Sequence, residues 1–375
     1  MKVLFLTNDI NLHKGGQQIA NKYLLETLKR QYKVLVVNLK FFPEAVNYGR
    51  INCDTEIDFD KFSFFNGLKD LVSSLKNIST SKNFDRVVIS ANPFSSILVF
   101  SVIKFFNLFK NSKFFHWCHI DPFASILTAS RIPFILYPLG LLLYNAFDKV
   151  VTTNPYMTKS FEKYYFVPKD KIEMITYPLR PDFKKLISEK VKLNFSKPVI
   201  ITLTRLTTIQ KDPVTLIKAF KIVRSQFPTA SLIFLGDGPE KDMLIKLVRE
   251  MDLKESVYFL GFTKNPFPYI KRSDVFVLSS KSEGTPIALI EAQACGIPIV
   301  STDCPVGPRW ILADGKAGIL VKIGDEKEIA SGIVKFLNDK EERRIKVKFG
   351  YKFNKLFSFS LFQKRWINFI NNPNK

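Results

Sequence analysis

Glu283 and Glu291 close the two ends of the segment Glu-Gly-Thr-Pro-Ile-Ala-Leu-Ile-Glu, which follows the apolar run Asp274–Ser279. Gly284 permits a tight turn and close backbone approach to a ligand. Thr285 can cap a helix and Pro286 suits its first turn. This places Glu283 in a loop at a helix N-terminus and Glu291 about two turns along the helix. The free N–H groups and positive dipole end of such a helix suit a diphosphate. Carboxylates beside a phosphate site make sense as acceptors for hydroxyls, such as those of a sugar and a ribose. Two surface glutamates flanking a structural turn would look the same.

Further candidates sit where apolar runs end. Leu203-Thr-Arg-Leu-Thr-Thr-Ile-Gln-Lys-Asp-Pro213 puts Arg205 and Lys211 just past Val199–Leu203, suited to the charge of a nucleotide diphosphate leaving group. Gly236-Asp-Gly-Pro239 is a turn that opens a helix and matches no P-loop. Phe262 ends another run. Near the N-terminus, Lys14-Gly-Gly-Gln-Gln18 brings Gly16 between a strand and a helix, where paired glycines allow a ligand near the backbone. Of the 3 histidines, His116 lies within a strand and reads as core, whereas His119 stands just past that strand.

The elements that must position these residues alternate. Short Val, Ile, Leu and Phe runs at 2–8, 33–39, 86–90, 113–118 and 149–153 are separated by helical patterns, including 16–30 and 95–110. After a polar, proline-bearing break the pattern resumes with strands at 199–203, 231–235, 257–260, 275–278, 297–301 and 318–321. Strand–helix alternation means parallel sheets covered on both faces. The expectation is α/β, with two doubly wound parallel-sheet (Rossmann-like) domains facing across a cleft. Ligands bind outside the carboxyl ends of such strands. The boundaries read as 1–180 for an N-terminal Rossmann-like domain, 181–197 for a linker, 198–355 for a C-terminal Rossmann-like domain and 356–375 for a C-terminal helix able to cross back.

Composition narrows the class. A length of 375 residues, 46% hydrophobic and 24% charged, excludes a disordered, collagenous or coiled-coil chain. The 4 cysteines form no C-x-x-C pair, so neither a disulfide framework nor a zinc pattern is indicated, and a cytoplasmic setting is simplest. The net charge of +22 suits nucleic acid, an anionic membrane or phosphorylated small molecules, although scattered charge also serves solubility. An RRM signature and a basic–aromatic stripe are missing, so nucleic acid is not expected as a partner. Two apolar windows, 95–110 and 132–147, are too short or too interrupted for the ~20 residues of a span. They read as packed helices or as helices lying on a bilayer, which allows peripheral attachment at the cytoplasmic face of the inner membrane. Asp58-Phe-Asp60 has the spacing of a D-x-D metal site but lies in a polar loop, and it is set aside; no metal is expected.

Together these motifs resemble the retaining glycosyltransferases of family 4, which have the GT-B fold. The resemblance rests on the paired glycines, the Arg…Lys pair, the Gly-Asp-Gly-Pro turn and the E-x7-E motif. It extends through Ala294-Cys-Gly-Ile-Pro-Ile-Val-Ser-Thr302 and Gly307-Pro-Arg…Gly315. It implies that Arg205 and Lys211 bind the donor diphosphate, Glu283 the donor-sugar hydroxyls and Glu291 the ribose. The backbone around Gly284, Thr285, Pro286 and Ile287 would lie near sugar and phosphate, Phe262 near the base, Gly16 near the donor, and His119 near the reacting sugar and acceptor. This chain departs from the family pattern with Thr204 and Asp212 where glycines are frequent, and with Gln17 and Gln18 where an acid is.

The implied reaction moves a sugar from a nucleotide diphosphate sugar, UDP first, to a hydroxyl of a polysaccharide, lipopolysaccharide or lipid-linked glycan acceptor, with retention and without a required cofactor. A GT-B enzyme of another type, such as a sugar-nucleotide epimerase or a phosphorylase, is the alternative, followed by a basic nucleic-acid-binding protein.

Overall fold

Lys2–Thr7 reads Lys-Val-Leu-Phe-Leu-Thr, and every residue after the first is buried. A strand buried on both faces belongs inside a parallel sheet with helices on each side. The structure, a computed structural model, describes residues 1–7, 16–40, 54–58, 64–91, 93–119, 133–191 and 195–373. Two units are distinguished, Met1–Tyr177 with Ser360–Lys375, and Pro178–Phe359.

In chain order, the first unit holds β1 (Lys2–Thr7), α1 (Gly16–Lys29), β2 (Lys33–Lys40), β3 (Thr55–Asp58), α2 (Phe64–Ser81), β4 (Arg86–Ser90), α3 (Pro93–Phe105), β5 (Lys113–Trp117), α4 (Pro133–Ala146), β6 (Lys149–Thr152), α5 (Pro155–Tyr164) and β7 (Ile172–Met174). The strands form one sheet in the order β3-β2-β1-β4-β5-β6-β7, and each neighbouring pair is parallel. The edge strands β3 and β7 were not expected from sequence. β7 is three half-buried residues, Ile-Glu-Met, so no apolar run announces it.

The apolar window 95–110 resolves into a core helix with a turn. Ile97, Val99, Phe100 and Ile103 of α3 are buried, and the chain then reverses through Asn107 and Phe109, both at positive φ. Phe109 is buried against Phe84, and its N–H donates to Ser79 Oγ. Among the described residues, no helix is long and apolar enough to cross a membrane.

The second unit holds α6 (Phe183–Leu186), β8 (Val199–Leu203), α7 (Pro213–Gln226), β9 (Ser231–Leu235), α8 (Lys241–Glu250), β10 (Val257–Gly261), α9 (Phe267–Lys271), β11 (Val275–Leu278), α10 (Ile287–Cys295), β12 (Ile299–Thr302), α11 (Pro308–Ile311), β13 (Ile319–Val321), α12 (Glu326–Asn338) and α13 (Lys340–Phe353). Its parallel sheet runs β10-β9-β8-β11-β12-β13. Leu216, Phe220 and Val223 of α7 share a core with Val275, Val277 and Val300 of the sheet and Ile329, Ile333 and Phe336 of α12. Each such large side chain contributes roughly 1.5–3 kcal/mol by leaving water.

The segment 181–197, read from sequence as a linker, groups with this second unit. Phe183 meets Phe267 edge-on, and Asn265 Nδ2 donates to Leu186 O at 2.9 Å. The last helix, α14 (Phe359–Asn371), groups from Ser360 onward with the first unit. There Trp366 is buried against Trp117, and Arg86 Nε donates to Ile370 O at 3.2 Å.

Candidate active site

In the second sheet, the chain leaves β8 toward β9 on one side and reaches β11 on the other. Such a reversal opens a crevice at the carboxyl ends of the two strands. Arg205, Lys211 and Glu283 all lie on the segments leaving those ends. Lys211 Nζ donates to Glu283 Oε1 at 2.6 Å, and Ser280 Oγ donates to the same oxygen at 2.6 Å. Thr302 Oγ1, at the end of β12, donates to Ser280 O at 2.6 Å, and Ser279 Oγ donates to Lys211 O at 3.0 Å. Three strand ends thus hold one largely buried ion pair, while Arg205 is exposed. Ser279, Ser280 and Thr302 were not singled out in sequence; their signal was a hydroxyl residue at the end of an apolar strand.

The Gly-Asp-Gly-Pro turn supports the segment that carries Arg205. A Cβ on Gly236 would lie 1.9 Å from Thr204 O, and one on Gly238 would lie 2.4 Å from Leu206 O. Only glycine lets these two backbones touch. Leu206 N–H donates to Asp237 O at 3.1 Å, and Thr208 N–H donates to Glu240 Oε2 at 2.5 Å. Gly236 N–H donates to Gly261 O at 2.8 Å, tying in the end of β10, where Phe262 is half exposed.

Asp212, where the family often has glycine, adopts φ 48°. Aspartate tolerates this conformation better than most residues. Its carboxylate also accepts from Thr215 Oγ1 at 2.7 Å and caps α7, and Lys281 Nζ lies 3.4 Å away.

The first turn of α10 differs from expectation. Thr285 does not cap the helix; Pro286 occupies the cap position, and no side chain caps it. Gly307 packs on this loop, since a Cβ there would lie 2.4 Å from both Gly284 O and Pro286 Cδ. Glu291 is buried at 5% exposure, and burial pushes its carboxyl up to about 7, with Arg180 acting the other way. Ile287 is the first residue of α10, so Gly284–Ile287 lead directly into its N-terminus.

In the first unit, Gly16 is the first residue of α1, while Lys14 and Gly15 lie outside the described residues. His119 follows β5, as its spacing suggested, but it is buried. Its Nε2 lies 2.6 Å from Ser90 Oγ, and its Nδ1 lies 2.5 Å from Tyr177 Oη. Ser90 Oγ donates to Asn21 Oδ1 at 2.6 Å, and Asn21 Nδ2 donates to Thr7 Oγ1 at 3.1 Å. With the Ser90 proton committed, Nε2 carries the histidine proton and Nδ1 accepts from Tyr177. Burial, reinforced by His116, lowers the His119 pKa well below its usual range, so the ring is neutral. Both nitrogens are spent on the protein. His119 therefore fastens the ends of β4 and β5, with Thr7, Asn21, Ser90 and Tyr177 as partners that sequence reading missed. His116 is core, with burial pushing it down to about 4.

Asp58 ends β3, and Asp60 lies outside the described residues. Among the described residues, no three His, Cys, Asp or Glu side chains gather as metal ligands.

The fold is shared with the Anabaena HepE crystallised with UDP, at TM-score 0.75, 16% identity and coverage of 99% of this chain and 100% of that one. Residues 183–353 match the family described as glycosyl transferases group 1. An uncharacterized glycosyltransferase of Methanocaldococcus jannaschii is 31% identical over 339 residues, covering 77% of this chain and 82% of that protein. The chain belongs to the group 1 glycosyl transferases and is a glycosyltransferase of the GT-B fold. A shorter stretch of 134 residues, 36% of each chain, is 34% identical to the Campylobacter jejuni N-acetylgalactosamine-N,N'-diacetylbacillosaminyl-diphospho-undecaprenol 4-alpha-N-acetylgalactosaminyltransferase.

Proposed function

We propose that the chain transfers a sugar from a UDP-sugar, with retention of anomeric configuration, to a hydroxyl of a lipid-linked or lipopolysaccharide-type glycan. The observation that carries this reading is the Lys211–Glu283 pair at 2.6 Å, with the exposed Arg205 on the same segment leaving β8, at the reversal of the second sheet. UDP in the HepE complex and the diphospho-undecaprenol acceptor in the name of the Campylobacter relative agree with it.

In this reading the donor diphosphate lies over the N-terminus of α10, with Arg205 and Lys211 on its oxygens. The bond from the anomeric carbon to the β-phosphate oxygen breaks, and negative charge grows on the leaving diphosphate. Two cations, of which Lys211 is already held by Glu283, and a helix N-terminus stabilise that charge. The acceptor oxygen bonds to the anomeric carbon on the face the diphosphate leaves, which gives retention, and its proton passes to the diphosphate. Glu283, already held by Lys211 and Ser280, accepts from the sugar hydroxyls, and Glu291 accepts from the ribose. Phe262 flanks the base. His119 acts by positioning β4 and β5.

A panel of nucleotide sugars screened with polyprenyl-diphosphate glycans tests the reading, with the product anomer read by NMR. Arg205→Ala should lower turnover at least ~100-fold without unfolding the chain. Glu283→Gln should impair transfer while UDP still binds. Product formation by Arg205→Ala at the wild-type rate, or an inverted product, overturns the assignment.

A further inference from the structure

The outer face of α13 combines two features that folding does not require. Ile345, Phe349 and Tyr351 are 51%, 38% and 61% exposed, and Leu356, in the 3₁₀ turn Asn354–Phe357, is 41% exposed. Lys348, Lys352 and Lys355 are exposed among them and have no carboxylate partner among the described residues. The acids of this helix sit in its first turn and are engaged. Glu341 takes Arg344 at 2.6 Å, and Glu342 takes Lys335 at 3.3 Å and Lys346 at 3.5 Å. Beyond Glu342 the chain carries 9 Lys and Arg and no Asp or Glu.

The opposite face is firmly held. Gly350 lies against Ala317 and Gln293, and Asn354 Nδ2 donates to Ile290 O of α10 at 2.8 Å. Phe357 is fully buried against Trp310. The outward side chains are thus presented on a fixed support, on the helix packed behind α10.

We propose that this face of α13 and its 3₁₀ turn is a docking surface for an anionic lipid bilayer. Lysines attract anionic headgroups, while Phe349, Ile345, Leu356 and the Tyr351 ring fit the boundary between headgroups and acyl chains. A nucleic acid would use the lysines and rings but leaves Ile345 and Leu356 without a role, since aliphatic side chains do not stack on bases. A bilayer uses all seven. The surface stands apart from the donor chemistry and would hold the protein at a membrane whatever sugar it transfers. It also differs from the two apolar windows singled out in sequence, of which the first is largely core.

Flotation of the full chain tests this, with vesicles of phosphatidylcholine alone and of phosphatidylcholine mixed equally with phosphatidylglycerol. Wild type should float with the mixed vesicles at low salt, release at high salt and ignore phosphatidylcholine. The triple variant Lys348→Glu, Lys352→Glu, Lys355→Glu should bind the mixed vesicles at least ~10-fold more weakly. Ile345→Gln with Phe349→Gln should bind at least ~5-fold more weakly while keeping its salt dependence. Melting temperature and UDP affinity, unchanged in both, report an intact fold. Failure of wild type to float with mixed vesicles, or wild-type flotation of the triple variant, overturns the proposal. Capture by single-stranded oligonucleotide without flotation overturns it in favour of a nucleic-acid surface.

Discussion

Replacing Glu291 by Gln separates the charge of that carboxyl from its shape. The side chain is buried on α10, and its pKa rises from 4.5 to about 7 because burial disfavours the ionised form more than Arg180 favours it. A folded pKa above the unfolded one means the folded chain holds the proton more tightly. Its contribution to stability is therefore greatest below the unfolded value, declines as pH rises from 4.5 toward 7, and is level above that. At about 1.4 kcal/mol per pH unit, the span amounts to about 3 kcal/mol. Glu291→Gln cannot ionise, so the variant should gain about 3 kcal/mol on wild type between acid and mildly alkaline pH. Urea unfolding across that range measures it. The same charge should couple to donor binding. Ribose hydroxyls donate to a carboxylate, so UDP should bind wild type more tightly as pH rises through about 7, releasing a proton below it. Calorimetry in two buffers of different ionisation enthalpy reads that proton. Parallel unfolding curves for variant and wild type, with no proton release on UDP binding, would refute the reasoning.

Three other perturbations address the framework. Gly238→Ala drives a Cβ into Leu206 backbone; it should cost about 1–3 kcal/mol and weaken UDP at least several-fold, and unchanged calorimetry would show that the turn does not support the Arg205 segment. Asp212→Gly exchanges a cap for relief of a positive φ and should stay within about 1 kcal/mol, whereas Asp212→Ala loses the cap and keeps the strain, costing about 2 kcal/mol; equal melting temperatures for the two would contradict this. His119→Ala removes the buried donor to Ser90 Oγ and leaves the Tyr177 hydroxyl without its acceptor, and should destabilise by about 2–4 kcal/mol in chemical denaturation. Wild-type stability with lost turnover would return His119 to the sugar.

How much was legible in the sequence follows from how local each signal is. Both parallel sheets announced themselves, because strands buried on two faces must be continuous apolar runs, as in Lys2–Thr7 and Ser231–Leu235. The ends of those runs also marked Arg205, Lys211, Glu283 and His119 as loop residues at strand termini. The edge strands β3 and β7 gave no such signal, because an edge needs no apolar run. What tertiary structure alone decided is which of these ends meet. Lys211 and Glu283 are 72 positions apart and pair only because β8 and β11 lie side by side. Gly236 and Gly238 read only as a turn that opens a helix until the backbone of Thr204 and Leu206 is found against them. His119 read as a site candidate just past a strand, but Ser90 and Tyr177, brought in by β4 and by the segment after β7, occupy both its nitrogens. Residue type and spacing set what each group can do. Its charge state and its freedom to react depend on neighbours from distant parts of the chain, and only the folded sheet brings those together.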